Sequence, residues 1–375
     1  EQVGRTAGAG IIRICGDERM TFDDVLVIIN GRNQRAVENP NGKYPIYGSG
    51  GIMGYADSYI CEADTVVIGR KGSINNPIFV EEPFWNVDTA FGLAAKREIL
   101  LPRYLYYFCR NFDFERLNKA VTIPSLTKSD LLKIEITLPM LETQEDVVNK
   151  LRKVEQIIQA RKQQLQKLDE LVKARFVELF GDPISNSHAL PEATLPELGE
   201  FGRGVSKHRP RNDPKLLGGK YPLIQTGDVA SANLYITSYT TTYSELGLAQ
   251  SKMWGKGTLC ITIAANIAKT AILNFDACFP DSIVGFTANG RTNNIFIHYW
   301  FSFFQEILES QAPESAQKNI NLKILSELKV IVPSKEKQDA FAAFVEQVDK
   351  LKAAVQKALD EAQLLFDSLM QKYFG

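Results

Sequence analysis

No proline or glycine interrupts the chain between Pro139 and Gly181, and the residues in between keep a strict heptad rhythm. Gln144, Val147, Leu151, Val154, Ile158, Arg161, Leu165, Leu168, Val172, Arg175 and Leu179 advance in alternating steps of three and four, which is the seam of a coiled coil. A helix over 142–180 reaches roughly 55–60 Å at 1.5 Å per residue, and its apolar stripe needs a partner of similar length. That partner lies 194 residues on. Gln338, Phe341, Val345, Val348, Lys352, Val355, Leu359, Ala362, Phe366, Leu369 and Tyr373 hold the same register. Arg161 and Arg175 correspond to Val355 and Leu369, and Lys352 corresponds to Ile158, so the stripes are alike but not identical. The pattern predicts two different helices of one chain paired with each other.

The shift extends upstream of the helices. Pro139 matches Pro333, Ile136 matches Val330, Leu126 matches Ile320, and Phe180-Gly181 matches Phe374-Gly375. Leu101–Tyr107 lies over Ile295–Phe301, and Asp88-Thr89 over Asp281-Ser282. Earlier the shift shrinks, so that Lys43-Tyr44-Pro45 matches Lys220-Tyr221-Pro222 and Thr21 matches Thr194. One unit is written twice, and the second copy carries about twenty extra residues, mostly between Gly227 and Pro280.

Each copy reads as a mixed α+β unit followed by its long helix. In the first, 25–29 and 65–69 have strand character, glycine turns fall at 48–51 and 69–72, Pro102 opens an aromatic helix over 104–117, and 134–138 leads into the coil. The second repeats the plan, with a strand over 258–263 and an aromatic helix over 295–308. The expected layout is an unassigned tail over 1–19, units over 20–141 and 194–335, helices over 142–180 and 336–375, and a linker over 181–193. The tail precedes Met20 and reads as a leader, a tag remnant or a partner-binding segment.

Five cysteines (Cys15, Cys61, Cys109, Cys260 and Cys278) form no CxxC pair, so neither a disulfide framework nor a thiolate zinc site is indicated, and a reducing cytoplasm fits. No segment approaches a membrane span or a signal-peptide core. A net charge of −1 excludes a polyanion binder held by global charge and leaves local patches to do any such binding.

Signals of catalysis are sparse. Asn76-Pro77-Ile78-Phe79 approaches the Asn-Pro-Pro-Phe signature of adenine methyltransferases, but no cofactor loop accompanies it and a turn is the better reading. Gly8-Ala9-Gly10 follows no strand, and no phosphate-binding loop is present. His188, His208 and His298 are scattered, which argues against a metal cluster or a His-based triad. The aromatics Tyr104, Tyr106, Tyr107 and Phe108, with Tyr299, Trp300, Phe301, Phe303 and Phe304 in the second copy, are spaced for core packing rather than base stacking.

Basic loops recur at equivalent places in both copies. The first holds Arg32, Asn33, Gln34, Arg35 and Lys43 near one acid, Glu38; the second holds Arg203, Lys207, Arg209, Arg211, Lys215 and Lys220 near one acid, Asp213. Such side chains neutralise phosphates, read guanine, or, as Asn and Gln, read adenine in the major groove. Arg70-Lys71 between Gly69 and Gly72 forms a second group, where flanking glycines would let backbone approach a duplex. Tyr47, Ser49 and Ser73 beside the glycine turns, and His208, Lys252, Lys256 and Lys269 in the second copy, complete the DNA-binding candidates.

Two non-identical units, each followed by a heptad helix ending in Phe-Gly, resemble the specificity (S) subunit of type I restriction-modification systems. Matching stretches are Lys43–Tyr55 (KYPIYGSGGIMGY), Val67–Ser73 (VIGRKGS) and Asn86–Leu93 (NVDTAFGL), with Pro139 and Pro333 leading into the helices. In the second copy Ile224–Val229 (IQTGDV) replaces the glycine turn. The resemblance implies two target recognition domains that read an asymmetric, bipartite DNA sequence, joined by an antiparallel coiled coil that fixes the spacer. It further implies docking of two modification subunits that bind S-adenosylmethionine, and of restriction subunits that use ATP and Mg where present. It assigns no catalysis, metal or cofactor to this chain. Half-sites one helical turn apart would lie roughly 34–36 Å centre to centre. Two other readings stay open: a self-contained adenine methyltransferase, which would bind cofactor alone, and a coiled-coil adaptor, which would bind no duplex at any salt concentration.

Overall fold

The computed structural model describes residues 18–118, 123–264, 267–311 and 320–375, excepting the side chains of 306–311. Residues 1–17, with Gly8-Ala9-Gly10 and Cys15, lie outside the described residues. The chain divides into two compact units, Glu1–Arg161 with Ala358–Gly375, and Lys162–Lys357. Each unit therefore owns one half of both long helices.

The first unit contains β1 (Glu18–Thr21), α1 (Phe22–Val25), β2 (Leu26–Asn30), β3 (Tyr44–Gly48), β4 (Gly51–Ala56), β5 (Thr65–Gly69), β6 (Ile78–Val80), β7 (Trp85–Asn86) and β8 (Ala90–Ala95). It continues through α2 (Pro102–Asn111), α3 (Lys128–Leu131) and β9 (Glu135–Leu138) into the long helix α4 (Leu141–Phe180). One sheet runs β2-β8-β5-β6, a second runs β4-β3-β7, and β1 pairs with β9. The strand β1 begins at Glu18, inside the stretch read from sequence as tail, because Met20 and its neighbours pair antiparallel with Ile136 and its neighbours. Thr21 then caps α1. Its amide and hydroxyl donate to the Asp24 carboxylate at 2.9 and 2.6 Å, which pulls Val25 into a helical turn and delays the strand to Leu26. Helix α2 buries Tyr104, Leu105, Tyr107 and Cys109 against the sheet, so its aromatics are core. It stops at Asn111, short of the expected 117, because Phe112 is extended and the Asp113 carboxylate caps a separate 3-10 turn over Phe114–Leu117, accepting from the Glu115 amide at 3.1 Å.

The second unit contains β10 (Glu192–Thr194), α5 (Leu195–Leu198), β11 (Gly199–Arg203), β12 (Leu217–Leu223), α6 (Thr226–Ser231), β13 (Tyr235–Ile236), β14 (Thr241–Tyr243), α7 (Glu245–Ala249) and β15 (Met253–Trp254). Then come β16 (Leu259–Thr262), β17 (Thr270–Leu273), β18 (Ala277–Cys278), β19 (Ile283–Ala288), α8 (Asn294–Gln311), α9 (Leu322–Glu327), β20 (Lys329–Ile331) and α10 (Lys335–Phe374). Its sheets run β11-β19-β16-β17-β13 and β14-β12-β18-β15, and β10 pairs with β20. The duplication is thus visible strand by strand: Ala193 faces Val330 as Met20 faces Ile136, and Thr194 makes the same capping box with Glu197. The extra residues of this copy supply α6, β13, α7 and β15, which adds one strand to each sheet.

Inside the first unit, Val147, Leu151, Val154 and Ile158 of α4 share a core with Phe366 and Met370 of α10. Inside the second, Val172, Phe176 and Phe180 share a core with Phe341, Val345 and Val348. The start of one helix meets the end of the other in each case, which is the antiparallel pairing the heptads require. Along the seam Leu165, Leu168, Val355 and Leu359 are only half-buried, and Lys352 forms an ion pair with Asp169. Val148, Phe176, Phe180 and Met370 are buried although they fall outside the three-four pattern, because each helix half packs on its own globular core as well as on its partner. Two buried glutamines peg the helix starts. The Gln144 side chain accepts from the Leu101 amide and donates to the Ile99 and Pro139 carbonyls, each at 2.9 Å, and Gln338 makes a corresponding set with Thr292, Arg291 and Pro333.

Among the described residues no helix is long and apolar enough to cross a membrane. Cys61, Cys109, Cys260 and Cys278 are free and buried, and burial pushes the Cys61 thiol up to about 12.

Candidate nucleic-acid interface

In the first unit a chain of backbone contacts gathers four separate stretches at one rim, where β2, β3, β5 and β7 all end. The Gly31 amide donates to Ala90 O (3.3 Å), Arg32 to Asn86 O (2.8 Å), Val87 to Tyr47 O (3.0 Å), and Arg70 and Lys71 both to Thr89 O (2.8 and 3.2 Å). Trp85 Nε1 donates to Arg32 O at 3.0 Å and so anchors the loop that follows β2. In that loop the Asn33 side chain accepts from the Arg35 amide at 3.0 Å, a local turn that leaves Arg32, Asn33 and Arg35 exposed and Gln34 half-buried.

The glycines on this rim play different parts. A Cβ on Gly69 would lie 2.3 Å from Ser73 O and 3.1 Å from Ser49 Cβ, so its missing side chain lets the tip of the β3–β4 hairpin close on the turn after β5. It serves internal packing, whereas Gly72, at φ +83° with open space around it, is the one of the pair free to face a ligand. Tyr47 packs edge-on against Phe84 at 5.4 Å, and its phenol is shifted up by burial and then by Glu82 and Tyr55. Ser73 is exposed beside Gly72. Lys43 stands apart: it sits at the other end of β3, roughly 20 Å from Ser49 along the strand, with its ammonium 5.5 Å from the Tyr44 ring. Among the described residues Arg32, Arg35, Lys43, Arg70 and Lys71 form no ion pair, although the Arg70 guanidinium lies 5.6 Å from the Phe91 ring.

The second unit builds the corresponding rim from the ends of β11, β12 and β18. Gly204 N donates to Ile283 O at 2.9 Å as Gly31 N does to Ala90 O, and Lys207 and His208 donate their amides to the Gln250 side chain at 2.7 and 3.0 Å. Here the sequence count of one acid is corrected by the fold. Asp281 pairs with both Arg209 and Arg211, Asp213 pairs with His208 at 3.1 Å, Glu245 with Lys220 at 3.2 Å, and Glu200 with Lys252 at 3.0 Å. Arg203, Lys207, Lys215 and Lys256 are exposed and form no ion pair among the described residues. Lys269 is placed elsewhere, in a pocket of about 350 Å³ with His298, Lys352, Asp169 and Gln305, whose side chain accepts from its ammonium at 3.2 Å.

Beside Arg211 the second rim opens a cleft of about 240 Å³ that mixes the polar side chains of Ser206, Asn212, Gln225, Thr226, Thr241 and Ser282 with Leu217, Leu223, Tyr243 and Pro280. The Ser206 hydroxyl is buried and has no hydrogen-bond partner among the described residues. Sequence reading missed these residues because they come from four stretches joined only by strand pairing. The one available signal was IQTGDV, in place of the glycine turn. It becomes α6, with Gln225 N donating to the Asp228 carboxylate at 2.8 Å. The stretch Asn76-Pro77-Ile78-Phe79, read from sequence as a turn, differs: the turn falls just before it at Ile74-Asn75, and Ile78-Phe79 already belong to β6. Among the described residues no group of three or more His, Cys, Asp or Glu could hold a metal.

Two rims of this kind on a duplicated α+β chain with paired long helices define a protein built of two copies of one unit. The chain belongs to the type I restriction modification DNA specificity domain family, whose model matches twice, over residues 17–170 and 192–362. It is similar to a protein of Methanocaldococcus jannaschii named as the type I restriction enzyme MjaX specificity subunit, with 22% identity over 277 residues, 69% of this chain. The chain spans 64% of the length of that relative. Its fold resembles the crystal structure of the type I restriction-modification S subunit from M. genitalium, with a TM-score of 0.65, 19% identity and 96% of each chain covered. A second structure, from work on assembly and conformational transition of the type I R-M system, matches with a TM-score of 0.58 and 17% identity over 96% of this chain and 97% of the other.

Proposed function

We propose that this chain is the non-catalytic address reader of a type I restriction-modification complex, with each unit reading one half of an asymmetric, gapped DNA target. The observation that carries the reading is the pair of equivalent rims, each collecting exposed Arg and Lys at the ends of strands, within a family defined by DNA specificity. Because the loops differ between copies, with more internally neutralised cations in the second, the two half-sites differ in sequence. The paired helices dock two modification subunits, and restriction subunits join where the system has them. S-adenosylmethionine, and ATP with Mg, are bound by those partners and not by this chain, and the complex works in the cytoplasm.

Methylome sequencing tests this in a host carrying the chain with its modification subunit, against a deletion of the chain alone. Loss of adenine methylation at one bipartite motif is the expected outcome. Unchanged methylation with an assembled, expressed complex would overturn it.

A further inference from the structure

Helix α8 keeps the packing of α2 but not its side chains. Phe296 meets Phe180 at 5.1 Å and Trp300 stacks on Phe304, as Tyr104 meets Phe374 at 5.0 Å and Phe108 stacks on Phe112. His298 and Ser302 therefore stand where the first unit has Tyr106 and Arg110, two residues out of the register read from sequence. In the first unit this place is plugged. The Arg110 guanidinium lies 5.7 Å from the Tyr106 ring and 4.8 Å from the Phe366 ring, and it pairs with Glu155. In the second unit His298, Ser302 and, on the seam, Val172 are each smaller than their counterparts, and His298 and Ser302 line the pocket of about 350 Å³.

The lining of that pocket is cationic. Lys173 of α4, Lys269 at the start of β17 and Lys352 of α10 all reach it, against one lining carboxylate, Asp169, which Lys352 holds in an ion pair. Asp349 acts on the Tyr299 phenol but does not line the pocket. Lys173 and Lys269 form no ion pair among the described residues, which leaves two ammonium charges without a carboxylate. A phosphate monoester carries a charge of about −1.5 to −2 and three strong acceptor oxygens at neutral pH, and lysine binds such a group as a point charge. Asn233 and Ser302 add uncharged donors to the lining. The volume falls at the small end of the range for small-molecule sites. The recess also excludes a duplex: the Lys352 side chain is 14% exposed and Thr270 9%, too deep for phosphates that ride on the outside of a double helix.

We propose that this pocket of the second unit binds the phosphoryl group of a small molecule, free phosphate or a phosphate monoester, with Lys173 and Lys269 neutralising it and Ser302 and Asn233 donating to its oxygens. The pocket shares no residue with the rim cleft beside Arg211, and the inference does not rest on DNA reading. The first unit does not bind the group at the equivalent place, because Arg110 fills it with a cation and Glu155 supplies the counter-charge.

The test is titration calorimetry of the full chain with inorganic phosphate and with ribose 5-phosphate, at an ionic strength held constant with sodium chloride. One saturable site per chain is the expected result. Tighter binding of ribose 5-phosphate would identify an organic ester as the natural occupant, and equal or weaker binding the free ion. Lys173→Gln and Lys269→Gln should each weaken binding roughly tenfold or more, the effect of losing one charged hydrogen bond. Ser302→Arg, which restores the plug of the first unit, should abolish binding. The two lysine variants change exposed or half-buried side chains, so they keep the test decisive if the arginine variant fails to fold. Absence of saturable binding by both probes, wild-type affinity in both lysine variants, or displacement of bound phosphate by a short duplex would each overturn the proposal.

Discussion

Replacing Gln338 by alanine should unfold the second unit's helix junction far more readily than its single-residue size suggests. Its side chain is fully buried; Oε1 accepts from the Thr292 hydroxyl at 2.8 Å, and Nε2 donates to Arg291 O at 3.1 Å and Pro333 O at 2.9 Å. Truncation orphans one buried hydroxyl and two carbonyls. Each orphaned group costs about 1–3 kcal/mol, and with the hydroxyl able to rotate, a total of about 3–4 kcal/mol is expected. At 1.36 kcal/mol per tenfold this is a loss of roughly 10²–10³ in amide protection for β20 and the start of α10, read by hydrogen exchange on the full chain. Gln338→Glu sharpens the argument, because an ionised carboxylate would face two carbonyl oxygens and the folded state must keep the proton. Its folded pKa is raised, so this variant should approach wild-type stability at low pH and lose it as pH rises from the unfolded carboxylate value through the folded one. Gln144→Ala should reproduce the loss in the first unit, where Leu101 N, Ile99 O and Pro139 O are left unpaired. A protection change below about fivefold in the alanine variants would refute the claim that these amides hold the junctions.

Phe176 is fully buried, with Phe180, Phe296, Phe303 and Phe341 at centroid distances of 4.9–5.4 Å, so Phe176→Ala should cost about 3–5 kcal/mol, measured as lost amide protection in α8. His298 lies in the pocket with Lys352; burial first and that lysine second lower its pKa to about 4, while its Nδ1 meets Thr270 Oγ1 at 2.9 Å. The unfolded state therefore binds the proton more tightly. Urea unfolding of the second unit should show stability intact above about pH 6.5 and falling by about 2–3 kcal/mol as pH drops towards 4, a slope that His298→Gln should remove. Arg70→Ala and Lys71→Ala should each weaken DNA binding by the assembled complex and lower the slope of log K against log salt by about one, seen in anisotropy titrations. A slope unchanged in both would take those cations off the phosphates.

The long helices were legible because a heptad repeat is local: every seam residue is fixed by its distance to the last, and the same pattern 194 residues on supplies the partner. The buried strand β5 and the aromatic cores of α2 and α8 were legible for the same reason, since continuous apolar runs have nowhere to go but inside. What sequence could not give was which charges survive pairing. Asp281 lies 70 residues beyond Arg211, and only the return of β18 and β19 beside β11 and β12 brings it there to neutralise two arginines of the loop. The rims themselves are likewise products of topology, because strand ends distant in the chain become neighbours only when the sheets form. Even the extra residue Met53, over which the register of β4 against β3 slips, shows itself only once those two strands pair. Side-chain periodicity is written in the chain, but the meeting of non-local side chains and the direction a bulge turns them are decided by strand pairing alone.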